Sequence, residues 1–172
     1  MTRPINAIVI HCAATPNGDK RFTVGVIDRM HGERKPPFMR NAGDIAKYAA
    51  ELGHSRKHVG YHWIIEADGT LSRGRHPEEV GAHVAGNNAR TLGICLIGTD
   101  KFAPAQWETL RTLVKTLQAK YPGAAVRGHR DYSPDKDGDG VIESFEWIKI
   151  CPGFSVEAWM EAGKVPEKGR VL

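Results

Sequence analysis

The sequence predicts a single α/β domain with a central mixed β-sheet flanked by helices. A chain of 172 residues suits one domain and is short for two. Short apolar, β-branched runs alternate with segments of helical spacing, which favours strands and helices mixed along the chain. The turn Asp68-Gly69 between two strand-like runs predicts a hairpin, so we expect a mixed rather than a purely parallel sheet.

Strands are predicted where apolar runs lie between turn residues. The run Ala7-Ile8-Val9-Ile10 is continuous and β-branched, which is typical of a buried strand, and it ends at His11. The other predicted strands are the hairpin pair 61–65 and 70–73, the run 92–97, and the short run 124–127 that leads to His129.

Helices are predicted where apolar side chains recur at helical spacing. They span residues 23–31, with Thr23 as N-cap, and residues 44–52, 104–121 and 156–160. The third is the best defined, because Pro104 suits a first turn and Trp107, Leu110, Val114 and Leu117 lie on one stripe. We expect residues 1–162 to form the domain and residues 163–172 to form a flexible tail.

The composition excludes several classes of protein. Hydrophobic residues make up 41% and charged residues 26%, which suits a packed core and argues against disorder. Apolar runs stay well below the roughly 20 residues that cross a bilayer, so membrane insertion is not expected. The amino terminus lacks the pattern of a signal peptide. Three cysteines are an odd number, which argues against a disulfide framework and favours a reducing compartment. Cys12 and Cys95 are predicted to be small core residues.

The charge is unevenly distributed. The formal net charge is +4, yet residues 135–146 hold five acids and one lysine, so the rest of the chain carries +8. A basic body favours an anionic partner such as a cell-envelope polymer, a lipid headgroup or a nucleic acid. Lysine and arginine form no dense cluster in the sequence, so nucleic-acid binding is not expected.

Three side chains suggest a metal centre. His11 ends one predicted strand and His129 follows another, and such strand ends can open onto one edge of a sheet. Cys151 lies in a loop beside Pro152-Gly153 and offers a thiolate. Two imidazoles and one thiolate suit zinc with an open fourth position. The alternative is that both histidines are structural and that Cys151 is inert.

Two further residues could serve chemistry at such a centre. Lys149 lies two residues before Cys151, so both side chains share one face of an extended segment. An ammonium there could stabilise negative charge on an oxygen. Tyr61 or His62 could orient or deprotonate a water molecule. Each of these residues could equally serve packing or the surface.

Residues 135–146 match the twelve-residue calcium-loop pattern. Gly140 permits the sharp turn, and Glu143 takes the ninth position. The remaining predicted calcium ligands are Asp135, Asp137, Asp139, the carbonyl of Val141 and Glu146. The loop lies between His129 and Cys151, so calcium could fix the segment that carries Lys149. The alternative is an acidic, solvated loop.

Six motifs occur in an order that resembles one family. They are Ile8-Val9-Ile10-His11-Cys12-Ala13-Ala14-Thr15, Val59-Gly60-Tyr61-His62-Trp63-Ile64-Ile65, Val80-Gly81-Ala82-His83, the run 88–98, Gly128-His129-Arg130-Asp131 and Lys149-Ile150-Cys151-Pro152-Gly153-Phe154. Over residues 5 to 160 the chain resembles type 2 N-acetylmuramoyl-L-alanine amidases, a family of phage endolysins and animal peptidoglycan recognition proteins.

The resemblance implies zinc held by His11, His129 and Cys151, with Tyr61 and Lys149 as catalytic residues. It also implies a substrate contact for His83, a structural role for His62, and a peptidoglycan groove over the zinc. The reaction expected is hydrolysis of the amide that joins N-acetylmuramic acid to L-alanine. We expect a monomeric endolysin that is made in the cytoplasm and reaches the cell wall after holin-assisted release.

Three alternatives remain at this point. A cytosolic amidase that recycles muropeptides would share the chemistry, but those enzymes usually carry Asp where Cys151 stands. A non-catalytic peptidoglycan-binding protein would typically lack the cysteine ligand. A structural zinc domain would usually close its site with four protein ligands.

Overall fold

The computed structural model describes residues 3–172 and confirms the predicted α/β class. In chain order the elements are β1 (Ala7–Cys12), α1 (Val24–Gly32), α2 (Ala42–Leu52), β2 (Trp63–Ile65), β3 (Leu71–Arg73), β4 (Thr91–Leu96), α3 (Pro104–Lys120), β5 (Ala125–Gly128) and α4 (Val156–Glu161). Short 3₁₀ turns lie at Asn88–Arg90, His129–Tyr132 and Lys168–Arg170.

The strands form one mixed sheet in the order β3-β2-β4-β1-β5. The hairpin strands β2 and β3 are antiparallel, and every other neighbouring pair is parallel. The central strand β1 pairs with β4 on one side and with β5 on the other. Residues at the carboxyl ends of β1 and β5 therefore meet at the same edge of the sheet, where polar side chains follow each strand.

Alternation along β1 divides the core between the two faces of the sheet. Ile8 and Ile10 belong to the larger cluster, which packs against α3 and α4 through Trp107, Leu110 and Trp159. On the other face, α1 and β4 contribute Ile27 and Cys95 to a smaller cluster. His11 continues this alternation on the smaller side, so its imidazole points away from α3.

Two polar contacts join the first two helical segments to the hairpin and to the loop that follows it. Thr23 is the N-cap residue of α1 as predicted, but its side chain makes no capping hydrogen bond. The carboxylate of Glu66 accepts from the amide of Val24 at 3.0 Å instead. A buried ion pair between Arg40 and Glu79, at 2.6 Å, joins the segment before α2 to the loop after β3.

The hairpin is shorter than predicted, because Tyr61 and His62 precede β2. The amides of Gly74 and Arg75 donate to the carbonyls of His62 and Tyr61, each at 2.9 Å, so the pairing continues irregularly. A Cβ at position 74 would lie 2.2 Å from the carbonyl oxygen of Tyr61, which explains glycine there. The irregular backbone presents the Tyr61 side chain at the sheet edge.

The last residues of the predicted tail contact the domain. Val171 pairs with Phe102 in a parallel bridge, and the carbonyl of Arg170 accepts from the Phe102 amide at 2.9 Å. The indole of Trp107 donates to the same carbonyl at 3.2 Å. These bonds and the packing of Val171 against the core hold the segment to α3. Among the helices of residues 3–172, none combines the length and apolar character needed to cross a membrane.

Candidate metal centre

The three predicted metal ligands converge at the edge of the sheet. The Nδ1 atoms of His11 and His129 lie 3.1 Å apart, and the Sγ atom of Cys151 lies 3.8 Å from His11 Nδ1. One donor atom from each residue falls within 4.8 Å of the others. The sheet accounts for the two histidines, because Ile10 and Gly128 are register partners in β1 and β5 and the histidines follow them directly.

The backbone holds Cys151 against the end of β1. The amide of Cys12 donates to Cys151 Sγ at 3.2 Å, and the amide of Arg130 donates to the Cys151 carbonyl at 2.9 Å. Gly153 turns the chain with a positive φ of 87°, and a Cβ there would lie 2.4 Å from the Thr99 carbonyl oxygen. Glycine at this position therefore lets the cysteine loop approach the sheet.

The donor set fits zinc. Two nitrogens bound tetrahedrally to one zinc at about 2.0–2.1 Å lie about 3.3 Å apart, close to the 3.1 Å between His11 and His129. Burial lowers the pKa of His11 well below its ordinary value, with further contributions from His83, His129 and Lys149. Burial and Lys149 lower the pKa of His129 to about 4. Both imidazoles are therefore neutral at pH 7, the form that binds metal.

Cys12, predicted as a core residue, packs against the larger core cluster but is only partly covered. It is half-buried at the end of β1 and lies beside the Cys151 sulfur, whereas Cys95 is fully buried as expected. The hydrogen bond between the two thiols and burial raise the pKa of Cys151, and the same bond lowers the pKa of Cys12. A bound metal cation would instead lower the pKa of Cys151, since a coordinating thiol loses its proton.

Tyr61 and Lys149, the predicted catalytic residues, both lie beside the three ligands, and their roles stay predictions. The rings of Tyr61 and His11 have centroids 5.0 Å apart, and both Tyr61 and Lys149 line the cavity above the three ligands. Burial raises the pKa of Tyr61 well above its ordinary value, with contributions from the Cys95 and Cys151 thiols. The phenol is therefore protonated at neutral pH, while Lys149 supplies an exposed positive charge.

His83 lies behind the ligands. Its Nδ1 is 3.0 Å from His11 Nε2, and its ring is 8% exposed, although it reaches the cavity wall. Burial lowers the pKa of His83 to about 3. The predicted contact with substrate stays a prediction, whereas the contact with His11 is a feature that the sequence did not indicate. His62 is fully buried, and its ring accepts from the Gly93 amide at 2.9 Å, which fits the structural role expected of it.

A groove runs over the three ligands. Its main part has a volume of about 780 Å³, and a second part of about 430 Å³ shares His83, His129 and Lys149 with it. Two cation–π pairs form its walls, with Arg34 over Phe38 at 4.6 Å and Arg130 over Trp147 at 4.1 Å. Sequence reasoning missed these walls, because Arg34 and Phe38 lie outside the predicted helices and Arg130 and Trp147 come from separate segments.

The acidic loop 135–146 brings Asp135, Asp137 and Asp139 within 4.8 Å of one another at the surface. The carboxylate of Asp135 accepts from the amides of Gly138 and Gly140 at 2.6 and 2.8 Å. Glu146 is buried, and its carboxylate accepts from the amides of Lys136 and Glu143. These contacts explain the loop shape without a cation, so calcium binding stays a prediction.

A mixed sheet that brings two imidazoles and a thiol together under an open groove is typical of a metal-dependent hydrolase. Residues 1–153 match the family model described as N-acetylmuramoyl-L-alanine amidase, and the chain belongs to that family. The resemblance inferred from the six motifs is thereby confirmed.

Individual relatives agree with this assignment. The chain is 33% identical over 173 residues to the endolysin of Escherichia phage T7, covering 96% of this chain and 91% of the relative. The structure resembles the N-acetylmuramoyl-L-alanine amidase LysC from Clostridium intestinale, with a TM-score of 0.61, 27% identity and coverage of 94% and 87%. Drosophila peptidoglycan recognition protein SD shares the fold, with a TM-score of 0.56, 20% identity and coverage of 94% and 82%. The enzyme class is that of an N-acetylmuramoyl-L-alanine amidase.

Proposed function

We propose that the protein is a zinc-dependent amidase that cleaves peptidoglycan between N-acetylmuramic acid and L-alanine, in the role of a phage or prophage endolysin. The observation that carries the zinc assignment is the convergence of His11, His129 and Cys151 within 4.8 Å under a groove. Zinc held there would polarise the scissile carbonyl and activate water for attack.

The side chains around the ligands supply the remaining chemistry. The ammonium of Lys149 lines the groove and stabilises the negative charge that develops on the carbonyl oxygen during attack. The protonated phenol of Tyr61 hydrogen-bonds to the attacking water and orients it. The neutral imidazoles of His11 and His129 bring their Nδ1 atoms to within 3.1 Å of one another. The groove walls at Phe38 and Trp147 flank the substrate and exclude water from its apolar surface.

The endolysin role rests on the relatives, which include the endolysin of Escherichia phage T7 over nearly the whole length of both chains. In that role the enzyme acts as a monomer on the cell wall after a membrane-permeabilising partner releases it. The rivals are an amidase that recycles soluble muropeptides and a non-catalytic peptidoglycan-binding protein. The presence of Cys151 beside both histidines favours a hydrolase over the second rival.

Digestion of purified peptidoglycan, with mass spectrometry of the products, tests the proposal. Wild type should release stem peptides that begin with L-alanine, and Cys151→Ser should release none. Intact glycan–peptide links after treatment with zinc-loaded wild type would overturn the endolysin proposal. Cleavage of soluble muropeptides alone would instead identify the recycling enzyme. Light scattering of the purified protein tests the monomer.

A further inference from the structure

A line of hydrogen bonds runs from the backbone into the metal centre. The hydroxyl of Thr91 lies 2.9 Å from the Asn87 carbonyl oxygen and 3.4 Å from His83 Nε2. On the other side of the His83 ring, Nδ1 lies 3.0 Å from His11 Nε2. His11 Nδ1 in turn lies 3.1 Å from His129 Nδ1. The line therefore connects a carbonyl just before the 3₁₀ turn Asn88–Arg90 to a metal ligand near the end of β1.

The carbonyl at one end sets the direction of every bond in the line. The Asn87 carbonyl can only accept, so the Thr91 hydroxyl donates its single proton to it. The Thr91 oxygen can then accept from His83 Nε2–H, which leaves His83 Nδ1 without a proton. His11 Nε2–H donates to that bare nitrogen, and His11 Nδ1 keeps its lone pair. This is the tautomer in which His11 Nδ1 can bind a metal.

The surroundings hold the His83 ring in this line. A Cβ at Gly93 would lie 2.7 Å from His83 Cγ, and a Cβ at Gly81 would lie 2.4 Å from His83 Cδ2. Two glycines thus form a slot that any side chain would fill. The side chain of Asn88 accepts from the His83 amide at 2.8 Å and fixes the backbone. Confined in this way, the His83 ring has a single orientation relative to His11.

We propose that His83 and Thr91 are positioning residues that hold His11 in the tautomer and orientation required for metal binding. The inference rests on the proposed function, in that it takes His11 as a zinc ligand. Partners of this kind, which hydrogen-bond to a ligating histidine, typically contribute about 10- to 100-fold to metal affinity. His83 thereby acts through His11.

The test measures the affinity for Zn²⁺ alone, by competition with a chromophoric chelator, using metal-stripped full-length protein. His83→Leu should weaken zinc binding about 10- to 100-fold. His83→Asn should restore most of the affinity, because its Oδ1 can replace the accepting Nδ1. Thr91→Val should weaken binding less than His83→Leu. Nitrogen-15 spectra of the metal-free wild type should place the His11 proton on Nε2.

Thr109→Val is the matched control, because its hydroxyl also donates to a carbonyl, that of Gly69 at 2.7 Å, but lies on α3. It should bind zinc as wild type does. Wild-type affinity in His83→Leu, or an equal loss in His83→Asn and His83→Leu, would overturn the inference while leaving the amidase proposal intact. Wild-type protein that binds no zinc would overturn both. Circular dichroism separates each result from a failure to fold.

Discussion

His11 and His129 lie with their Nδ1 atoms 3.1 Å apart although 118 residues separate them in the chain. The parallel pairing of β1 with β5 creates this contact, since Ile10 faces Gly128 in the register and each histidine follows its partner. The metal centre is therefore a property of the sheet. Any change that shifts this register removes the site even when every ligand is present.

Replacing His129 with alanine should abolish amide cleavage. It should also weaken zinc binding more than the loss of a residue that hydrogen-bonds to a ligand does, which is typically about 10- to 100-fold. The two remaining ligands, His11 and Cys151, bind a metal ion more weakly than three ligands do. Metal content and product analysis check this result. His54→Ala, a half-buried histidine beyond α2, is the control and should retain zinc and activity. Retention of zinc by His129→Ala would contradict the ligand assignment.

Replacing Lys149 with methionine should lower kcat by about 100- to 1000-fold, as removal of one donor to a developing oxyanion does. Zinc affinity should not fall, because the ammonium repels a cation. Steady-state kinetics on a soluble muropeptide and chelator competition separate the two effects. Lys115→Met on the exposed face of α3 should behave as wild type. An unchanged kcat in Lys149→Met would remove Lys149 from the mechanism.

The metal-free protein should lose stability as the pH falls from about 6.5 to 4. The pKa of His129 is about 4 in the fold, as is that of His31, and the pKa of His83 is about 3. Their unfolded value is about 6.5, so in this window the unfolded chain binds more protons. Protons therefore favour unfolding. Urea midpoints at pH 7, 5.5 and 4 check the slope, and equal midpoints would contradict it.

Truncation of Glu79 to alanine should destabilise the fold by about 3–5 kcal/mol, because it leaves Arg40 charged and buried. The two side chains are 1% and 0% exposed and join at 2.6 Å. Urea unfolding of the zinc-free protein measures the change. Glu108→Ala breaks an exposed pair with Arg111 on α3 and should cost less than about 1 kcal/mol. Similar losses of unfolding free energy in both variants would show that the buried pair stabilises the fold no more than the exposed pair does.

Calcium should raise the melting temperature of the zinc-loaded protein if residues 135–146 bind it. Binding would neutralise the clustered charge of Asp135, Asp137 and Asp139 and stabilise the native state by mass action. Differential scanning fluorimetry with and without millimolar calcium measures the shift. Asp137→Asn with Asp139→Asn should abolish it. If calcium leaves the melting temperature of wild type unchanged, the loop is an acidic, solvated loop that does not bind calcium.

The fold class, the order of the elements and the residues with metal-binding chemistry were all predictable from the amino-acid sequence. These follow from local information, since the period of apolar residues distinguishes strands from helices and donor types are visible in the letters. The strand at Ala7–Ile10 and the helix that begins at Pro104 were predictable for that reason. The six motifs also sufficed to indicate the family.

Which of these groups come into contact depends on how the chain folds. Three features join segments that are distant in the chain: the contact of His83 with His11, the groove that Phe38 and Trp147 both line, and the place of Cys12 beside Cys151. The bridge between Val171 and Phe102 is of the same kind. Such contacts depend on strand register and loop return, and no local pattern encodes these.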